Sequence, residues 1–395
     1  MKVLTVCGTR PEAIKLAPVI KALEACPEIT SRLCLTGQHR EMLDQVLTAF
    51  DLTADHDLAL MRPGQSLNAL AARAIAALDP VIEAEAPDRV LVHGDTTTAM
   101  AAGIAAFHRG IPVGHVEAGL RTGDLSRPWP EEMNRRCIDA FADQLYAPTP
   151  AARDKLIAET LGPRDIQVTG NTVTDALTLA RKRIESMPPP AAFDALAATL
   201  RPGRHLILVT GHRRESFGSG FEQICTALKR LSARGDVEIV YPVHLNPKVQ
   251  GPVRERLGAL PGVHLIAPLD YLPFVWLMNR AHVVLTDSGG VQEEAPSLGK
   301  PVFVMRDVTE RPEAVEAGTA QLVGTDPDRI VPAVTRVLDN PAEHARIARI
   351  ANPYGDGCAS DRIVAAILGR PIAPFQPDSV PAPACDHREP EALRA

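Results

Sequence analysis

Charged residues follow several short apolar runs in the first half of the chain, at positions where they could bind an anion or move a proton. The segment Gly8-Thr9-Arg10 and nearby Lys15 provide two cations, while Asp95 and Glu117 provide two carboxylates after later runs. A further carboxylate, Glu131, begins a predicted helix behind two prolines. Positioned carboxylates act as general acids and bases. These residue types therefore predict proton transfer on a substrate that is held partly by positive charge.

Each of these residues also has a simpler structural explanation when it is taken alone. Aspartate and threonine at strand ends often cap the next helix, and the helix dipole favours glutamate in a first turn. An isolated arginine or lysine is usually a solvated surface charge. The interpretation as a site depends on several of them meeting at one edge of a single sheet.

A glycine-containing segment in the second half of the chain predicts a diphosphate site. Thr286-Asp287-Ser288-Gly289-Gly290 ends an apolar run and precedes a predicted helix. Paired glycines let backbone amides approach a phosphate closely, and a helix N-terminus carries partial positive charge. Positive charge is also concentrated in Gly211-His212-Arg213-Arg214-Glu215, and Arg311 is the nearest further cation in sequence. An ordinary glycine turn is the structural alternative.

Two competing motifs are incomplete. Gly218-Ser219-Gly220 begins like the dinucleotide fingerprint G-x-G-x-x-G, but Gln223 occupies the place of the third glycine and no strand precedes it. Gly94-Asp95 and Gly170-Asn171 faintly resemble segments of two-metal phosphoesterases, yet no D-x-H segment precedes them. We therefore expect neither a nicotinamide cofactor nor a metal.

The elements that must position these residues follow from an alternating pattern. Short runs rich in Val, Ile and Leu alternate with longer segments of helical period, which is typical of βαβ units around a parallel sheet. Ligands of such sheets bind at the carboxyl ends of the strands, where the motifs described above fall. Strands are predicted at residues 2–7, 32–36, 89–95, 112–117, 144–147 and 166–169, and then at 205–210, 237–243, 263–267, 282–286 and 301–305.

The same pattern predicts two Rossmann-like α/β domains. Proline lacks a backbone donor and restricts its predecessor, so Met187-Pro188-Pro189-Pro190 is interpreted as the linker between them. The N-terminal domain is expected at 1–186 and the C-terminal domain at 191–353, with a helix at about 354–369 packing back on the first. Residues 371–395 are rich in Pro, Ala and charge and are expected to form a disordered tail.

Composition argues against several classes of protein. A net charge of −6 and an aromatic content of 4% disfavour binding to nucleic-acid phosphates or bases. The seven cysteines show no C-x-x-C spacing, which disfavours a disulfide framework or a structural zinc site. No apolar run has the length of a membrane span or of a secretory signal. We therefore expect a cytoplasmic protein without membrane or nucleic-acid partners.

Several segments, in a fixed order, resemble the non-hydrolysing UDP-N-acetylglucosamine 2-epimerases. The likeness spans about residues 1–369, and several of the segments are long and unusual. They are GTRPEAIKLAPVI, TGQHREMLDQVL, VHGDTTTA, HVEAGLRTGD, WPEEMNR, TGHRRESFG, YPVHLNP, LTDSGGVQEEAPSLGKP and RDVTERPEAVEAGT.

This resemblance implies the glycosyltransferase-B fold, in which two Rossmann-like domains face each other across a cleft, and it implies a homodimer. It implies reversible conversion of UDP-N-acetylglucosamine to UDP-N-acetylmannosamine by elimination of UDP, a glycal intermediate and re-addition, with no cofactor. It also implies a cytoplasmic role in cell-surface polysaccharide synthesis.

The resemblance also implies roles for particular residues. It assigns catalysis to Asp95, Glu117 and Glu131, places His212 beside the diphosphate as a further catalytic residue, and makes Lys15 a substrate contact. The residues that it assigns to UDP are Arg10, Leu269, Phe274, Ser288, Gly289, Gly290, Glu294 and Arg311.

Leu269 departs from the family pattern, because some members have glutamine there; a backbone contact to uracil would survive this change. Two other activities on the same fold stay open. A hydrolysing relative would release N-acetylmannosamine and UDP, and a glycosyltransferase would donate the sugar to an acceptor. A UDP-sugar sensor without chemistry is a third possibility, which the acidic residues disfavour.

Overall fold

The computed structural model describes residues 1–37, 40–62, 64–159, 164–187, 196, 199–211, 213 and 218–377, with the backbone alone for 40–42. The chain divides into two compact units. The first comprises Met1–Leu179 and the chain that returns from Tyr354, and the second comprises Ala180–Pro353. The division falls inside the helix Thr172–Glu185, and the predicted linker residues 188–190 lie outside the described residues.

A parallel sheet of seven described strands forms the centre of the first unit, in the order β3-β2-β1-β4-β5-β6-β7. In the centre of the sheet, Val3 pairs with Ser31 on one side and with Arg89 on the other. Apolar runs without alternation suit such strands, because both of their faces are buried. The strands are β1 (Lys2–Cys7), β2 (Thr30–Leu35), β3 (His56–Asp57), β4 (Arg89–His93), β5 (Val113–Val116), β6 (Gln144–Ala147) and β7 (Asp165–Val168).

Helices follow the strands of the first unit, and several begin at a threonine or serine that caps them. The side chains of Thr9, Ser66, Thr96 and Thr149 each accept a backbone N–H of the first helical turn. Such caps satisfy donors that a helix leaves unpaired at its start. The helices are α1 (Arg10–Ala25), α2 (Arg40–Phe50), α3 (Leu67–Glu85), α4 (Thr97–His108), α5 (Glu131–Phe141), α6 (Pro150–Ala158) and α7 (Thr172–Glu185).

The second unit repeats this architecture with six described parallel strands in the order β10-β9-β8-β11-β12-β13. The strands are β8 (His205–Thr210), β9 (Val237–Pro242), β10 (Val263–Ile266), β11 (Val283–Thr286), β12 (Val302–Val304) and β13 (Ala320–Leu322). The helices are α8 (Ser219–Ser232), α9 (Pro247–Leu257), α10 (Tyr271–Arg280), α11 (Gly289–Glu294), α12 (Pro312–Ala317), α13 (Pro327–Asp339) and α14 (Pro341–Ala348), with a 3₁₀ helix at Ala295–Leu298.

The returning chain is attached to the first unit by a buried carboxylate. Helix α15 (Ala359–Ile367) begins where Asp175 accepts the backbone N–H groups of Ala359 and Ser360, at 3.3 and 2.8 Å. Beyond it, Phe375 is 1% exposed and its N–H donates to the Val168 carbonyl at 2.8 Å. The expectation of a disordered tail from residue 371 therefore does not hold at Phe375, which is buried on the unit, while residues 378–395 lie outside the described residues.

The predicted fold class, two parallel α/β units, is confirmed. Each predicted strand has a counterpart whose ends differ by at most two residues. The predictions missed two edge strands, His56–Asp57 and Ala320–Leu322, because runs of two and three residues are too short to show a pattern. Among the described residues, no helix is both long enough and apolar enough to cross a membrane.

Three histidine rings lie in contact near the start of β8 and β11 in the second unit. The ring centroid of His282 lies 4.4 Å from that of His205 and 4.0 Å from that of His344. Burial, together with the positive charges of His344, His205 and Lys300 when they are present, lowers the pKa of His282 to about 3. The ring is therefore neutral in the folded protein at pH values where an unfolded chain would protonate it.

We expect acid to destabilise the second unit through His282. Between about pH 3 and its ordinary pKa of 6.5, the unfolded state binds a proton that the folded state does not. Above pH 6.5, His282 therefore leaves the free energy of unfolding unchanged with pH. Below pH 6.5, the free energy of unfolding falls by about 1.4 kcal/mol for each pH unit. His282→Phe should flatten this dependence, whereas the control Val283→Ala should lower stability by the same amount at every pH.

The measurement is urea unfolding from pH 4 to 7 in a Trp129→Phe background, which leaves Trp276 of the second unit as the only tryptophan. An equally steep pH dependence in His282→Phe would contradict the assignment.

Candidate active site

The charged residues of the first unit lie at the carboxyl ends of its strands. The strand order reverses direction between β1 and β4, and ligands of open parallel sheets bind at such a point. The turn after β1 carries Arg10 and leads to Lys15, the turn after β4 carries Asp95, and Glu117 follows β5. Three separate strand ends therefore deliver these side chains to one edge.

Glu12 joins the first two turns. Its buried carboxylate accepts the N–H groups of Gly8 and Thr9, at 3.0 and 2.7 Å, and the Thr96 hydroxyl at 2.6 Å. Burial raises the pKa of Glu12, and these hydrogen bonds oppose that rise. Since Thr96 immediately follows Asp95, Glu12 holds the turn after β4 against the turn after β1.

Asp95 forms an ion pair with Arg135 of helix α5, whose guanidinium lies 2.6 Å from the carboxylate. The Asp95 side chain is 28% exposed, so a ligand can reach it. Burial raises its pKa; Arg135 and Lys15 oppose this rise, while the charges of Glu117 and Glu131 add to it. The charges of Glu117 and Glu131 therefore act on Asp95, and these three carboxylates are called here the acidic cluster.

Glu117 is held from two further elements of the first unit. Its Oε2 accepts the ammonium of Lys15 from α1 and the Asn171 amide at 3.0 Å. Both Glu117 and Lys15 are mostly buried, with side chains 10% and 11% exposed. The backbone of Glu117 has φ of +67°, a conformation that destabilises most residues other than glycine and is concentrated at functional sites.

Helix α5 supplies the remaining members of this site. Glu131 is its first residue and is partly buried. One turn later, the Asn134 amide donates to the Asp95 carbonyl at 2.9 Å, and Arg135 pairs with the Asp95 side chain. Residues three and four apart share a helix face, so Glu131 lies on the same side of α5 as its two partners.

His115 ties the turn after β4 to the same helix. Its Nδ1 lies 2.6 Å from the Asp139 carboxylate and its Nε2 lies 2.7 Å from the Gly94 carbonyl. One ring nitrogen therefore faces the turn and the other faces the helix. Burial opposes ionisation of Asp139, yet His115 and Arg121 hold its pKa below the ordinary value.

The glycine-containing loop of the second unit follows β11 and is braced by side chains. The Asp287 carboxylate accepts the Arg213 N–H at 2.7 Å, and the Ser288 N–H donates to the Thr286 hydroxyl at 3.0 Å. The Gln292 amide donates to the Ser288 carbonyl at 3.1 Å. These bonds hold the loop in one conformation at the reversal point between β8 and β11.

The two glycines of this loop are not required by the backbone. Neither has a positive φ, and a Cβ on Gly290 would meet no described atom within 4 Å. A Cβ on Gly289 would lie 3.9 Å from the Arg213 guanidinium, which is ordinary contact. The absent side chains therefore leave space above the loop amides, as a bound phosphate requires.

The residues predicted to contact a nucleoside lie on α11, on α10 and in the segment before α10. Glu294 is the last residue of α11, and its carboxylate accepts the Tyr271 hydroxyl at 2.9 Å. Phe274 lies on helix α10 with Tyr271, and Leu269 lies in the turn before that helix. Both side chains are partly buried.

Two arginines after β12 are paired with carboxylates. Arg311 pairs with the buried Glu293 of α11, which places its guanidinium beside the loop helix. Arg306 lies 2.7 Å from Glu310. Burial opposes ionisation of Glu310, but Arg306 and other partners hold its pKa at about 2. The sequence reading named Arg311 and overlooked Arg306.

The structure brings Lys15, Asp95, Glu117 and Glu131 together in the first unit. In the second unit, Ser288, Gly289, Gly290 and Glu294 follow β11 directly, and Arg311 pairs with Glu293 of the same helix. Phe274 lies on α10, and Leu269 lies two residues before that helix. Arg10 begins α1 next to Gly8 and Thr9. The predicted catalytic residue His212 lies outside the described residues.

Sequence reasoning missed three residues that hold the site. The spacing Thr9-x-x-Glu12 is a capping box and could have identified Glu12. Arg135 stands four residues after Glu131, which could have placed both on one helix face. No local signal could have placed Asn171 beside Glu117, because 54 residues separate them.

Two parallel α/β units with polar side chains at the carboxyl ends of their strands define the doubly wound class of α/β proteins. A protein-family model described as UDP-N-acetylglucosamine 2-epimerase matches residues 21–368. The chain belongs to the UDP-N-acetylglucosamine 2-epimerase family.

Relatives support this assignment over nearly the whole chain. The UDP-N-acetylglucosamine 2-epimerase of Escherichia coli K12 is 54% identical, covering 94% of this chain and 100% of its own. The UDP-GlcNAc 2-epimerase from Neisseria meningitidis, in a crystal structure bound to UDP-GlcNAc, is 48% identical with a TM-score of 0.86, covering 94% and 100%. A glycosyltransferase of kitacinnamycin, 15% identical over 93% and 98% with a TM-score of 0.62, shares the fold alone.

We expect removal of the Arg135 charge to raise the pKa of Asp95 further. Burial and the two other carboxylates raise the pKa of Asp95, and Arg135→Gln removes the main charge that opposes them. A nearby opposite charge changes a carboxylate pKa by about 1 unit or more. The measurement is a ¹³C NMR titration of the aspartate carboxyl carbons, with the Asp95 signal assigned by its loss in Asp95→Asn. The matched control is Arg136→Gln, because Arg136 lies 3.6 Å from Glu159 instead. An unchanged Asp95 titration in Arg135→Gln would refute this electrostatic account.

Proposed function

We propose that the protein interconverts UDP-N-acetylglucosamine and UDP-N-acetylmannosamine by inverting carbon 2 of the sugar, without hydrolysis. The observation that carries this proposal is the acidic cluster at one edge of a parallel sheet, in a chain of the epimerase family. Relatives from Neisseria meningitidis and Methanocaldococcus jannaschii have structures with UDP-GlcNAc bound, which supports the choice of substrate.

Elimination of UDP has to come before inversion. The hydrogen on carbon 2 is not next to a carbonyl group in the sugar ring, so a carboxylate cannot simply remove it from the resting substrate. As the bond from carbon 1 to UDP breaks, positive charge grows on carbon 1 and acidifies the neighbouring hydrogen. Proton removal then gives a glycal and free UDP, and re-addition of UDP with a proton on the other face gives the epimer.

Stabilising the departing diphosphate is the main electrostatic demand of this step. We assign it to the amides of the glycine-containing loop, because a Cβ on Gly290 would meet no described atom within 4 Å. Glu294 would hold the ribose, and Phe274 with the backbone of Leu269 would hold the uracil. The cations assigned to the diphosphate and sugar are Arg10, Lys15, His212 and Arg311.

The acidic cluster would move the hydrogen. One fixed base cannot readily remove a proton from one face and return it to the other unless the intermediate turns over, and several carboxylates solve this problem. Asp95 is assigned as the leading base, because its raised pKa brings it closer to the working pH, where proton transfer is most efficient. Glu117 and Glu131 would serve the opposite face or the sugar hydroxyls.

The finer features implied by the family resemblance belong to the same proposal. They are a homodimer, a cytoplasmic location and a role in cell-surface polysaccharide synthesis. Analytical ultracentrifugation of the purified protein tests the first of them directly.

The deciding experiment follows the hydrogen on carbon 2. Incubation with UDP-N-acetylglucosamine in heavy water, with chelator and without NAD or an acceptor, should give UDP-N-acetylmannosamine that carries deuterium at carbon 2, measured by NMR and mass spectrometry. Asp95→Asn should lower kcat by about 10²–10⁴-fold, the usual contribution of a general acid or base. The control Asp154→Asn, an aspartate 63% exposed on α6, should turn over normally.

The other outcomes identify the alternatives. An epimer that keeps its original hydrogen would exclude the elimination mechanism. Free N-acetylmannosamine would indicate a hydrolysing enzyme, and turnover that needs an added sugar acceptor would indicate a glycosyltransferase. Tight binding of the UDP-sugar without any product would indicate a sensor.

We expect Gly290→Ala to weaken UDP binding without destabilising the fold. A methyl group there meets no described atom, and alanine is a better helix former than glycine, but it would occupy the space assigned to phosphate. Calorimetry should show at least about a tenfold weaker affinity, or 1.4 kcal/mol. The control Gly251→Ala, on α9 and equally open, should bind UDP normally. Unchanged affinity in Gly290→Ala would exclude this loop as the phosphate site.

A further inference from the structure

His93, the last residue of β4, is a buried polar side chain without an assigned role. It is 4% exposed, and neither of its ring nitrogens has a hydrogen-bond partner in another described residue. Leaving such groups unsatisfied destabilises a protein, so an apolar ring of the same shape would suit this position better on grounds of stability alone. The imidazole therefore needs an explanation beyond packing.

Among the described residues, the Glu117 carboxylate lies near this ring, with its Oε2 3.8 Å from His93 Nε2. That oxygen also accepts Lys15 and Asn171. Hydrogen bonds in an enzyme without its substrate are often long and shorten when the substrate binds. A small movement of the Glu117 side chain would bring it within hydrogen-bonding distance of the ring.

Burial lowers the pKa of His93 to about 4; the charge of Glu117 opposes this fall, and that of Lys15 adds to it. The ring is therefore neutral near pH 7, with one nitrogen that donates and one that accepts. A neutral donor can stabilise an ionised carboxylate without adding a second positive charge beside Lys15.

We propose that His93 is a positioning residue for Glu117, donating its Nε2–H to the Glu117 carboxylate and holding it ionised and oriented for the reaction. The inference rests on the proposed function, because it gives Glu117 a role in proton transfer. The described groups that act on Glu117 include Lys15 from α1, His93 from β4 and Asn171 before α7, and Asp95 after β4 interacts with its charge.

The test uses the full chain with ¹³C-labelled glutamate carboxyl carbons, and the Glu117 signal is assigned by its loss in Glu117→Gln. His93→Phe keeps a ring but removes the donor, so the Glu117 titration should move upward by about one pH unit. His93→Gln keeps an N–H donor, so its Glu117 titration should return most of the way to that of the unmodified protein. Val90→Ala, a core residue of the same strand, reports the effect of lost packing and should leave the titration unchanged.

Steady-state kinetics give a second readout. In His93→Phe, the acidic limb of the kcat/KM profile should move to higher pH together with the Glu117 titration. The value of kcat should fall by about 10- to 100-fold with KM little changed, because a small misplacement of a reacting group slows the chemical step more than it weakens binding. His93→Gln should recover most of kcat.

An unmoved Glu117 titration in His93→Phe, or an equal movement in Val90→Ala, would overturn the proposal. The NMR titration needs no turnover, so it distinguishes failure of this inference from failure of the proposed epimerase activity.

Discussion

The first unit depends on one electrostatic constraint, which is that three carboxylates crowded at a strand edge must be kept from repelling each other. Like charges at short range raise one another's pKa, and burial strengthens the effect. Lys15 and Arg135 relieve it by pairing with Glu117 and Asp95 respectively. The relief is partial, since the pKa of Asp95 stays raised. A group balanced in this way can exchange a proton with a substrate.

Much of the surrounding structure serves to keep these charges in place. Glu12 holds the turns after β1 and β4 together, and His115 anchors the Gly94 carbonyl to the helix that carries Arg135. Glu117, whose backbone has φ of +67°, is held instead by Lys15 and Asn171. The second unit is built differently: its loop offers amides and open space, which suit a diphosphate, so proton transfer and leaving-group binding are assigned to separate units.

Most of the strand pattern could be predicted because strands buried on both faces are continuous apolar runs, as in β4 and β8. The edge strands His56–Asp57 and Ala320–Leu322 could not, since pairing with a neighbour and not local composition defines them. The residues from 371 to 377 were misjudged for a related reason. Their composition is typical of disorder, but Phe375 finds a buried position on the first unit that composition cannot reveal.

The order of residues alone specified which chemical groups stand at strand ends, because the α/β alternation and the turn motifs are local patterns. The family resemblance also comes from the sequence alone, because it depends on long segments in a fixed order. Tertiary structure decided which of those groups meet: Lys15 reaches Glu117 across 102 residues, and Arg135 reaches Asp95 from another helix. It also decided protonation, since burial and neighbouring charge exist only once distant segments have packed together.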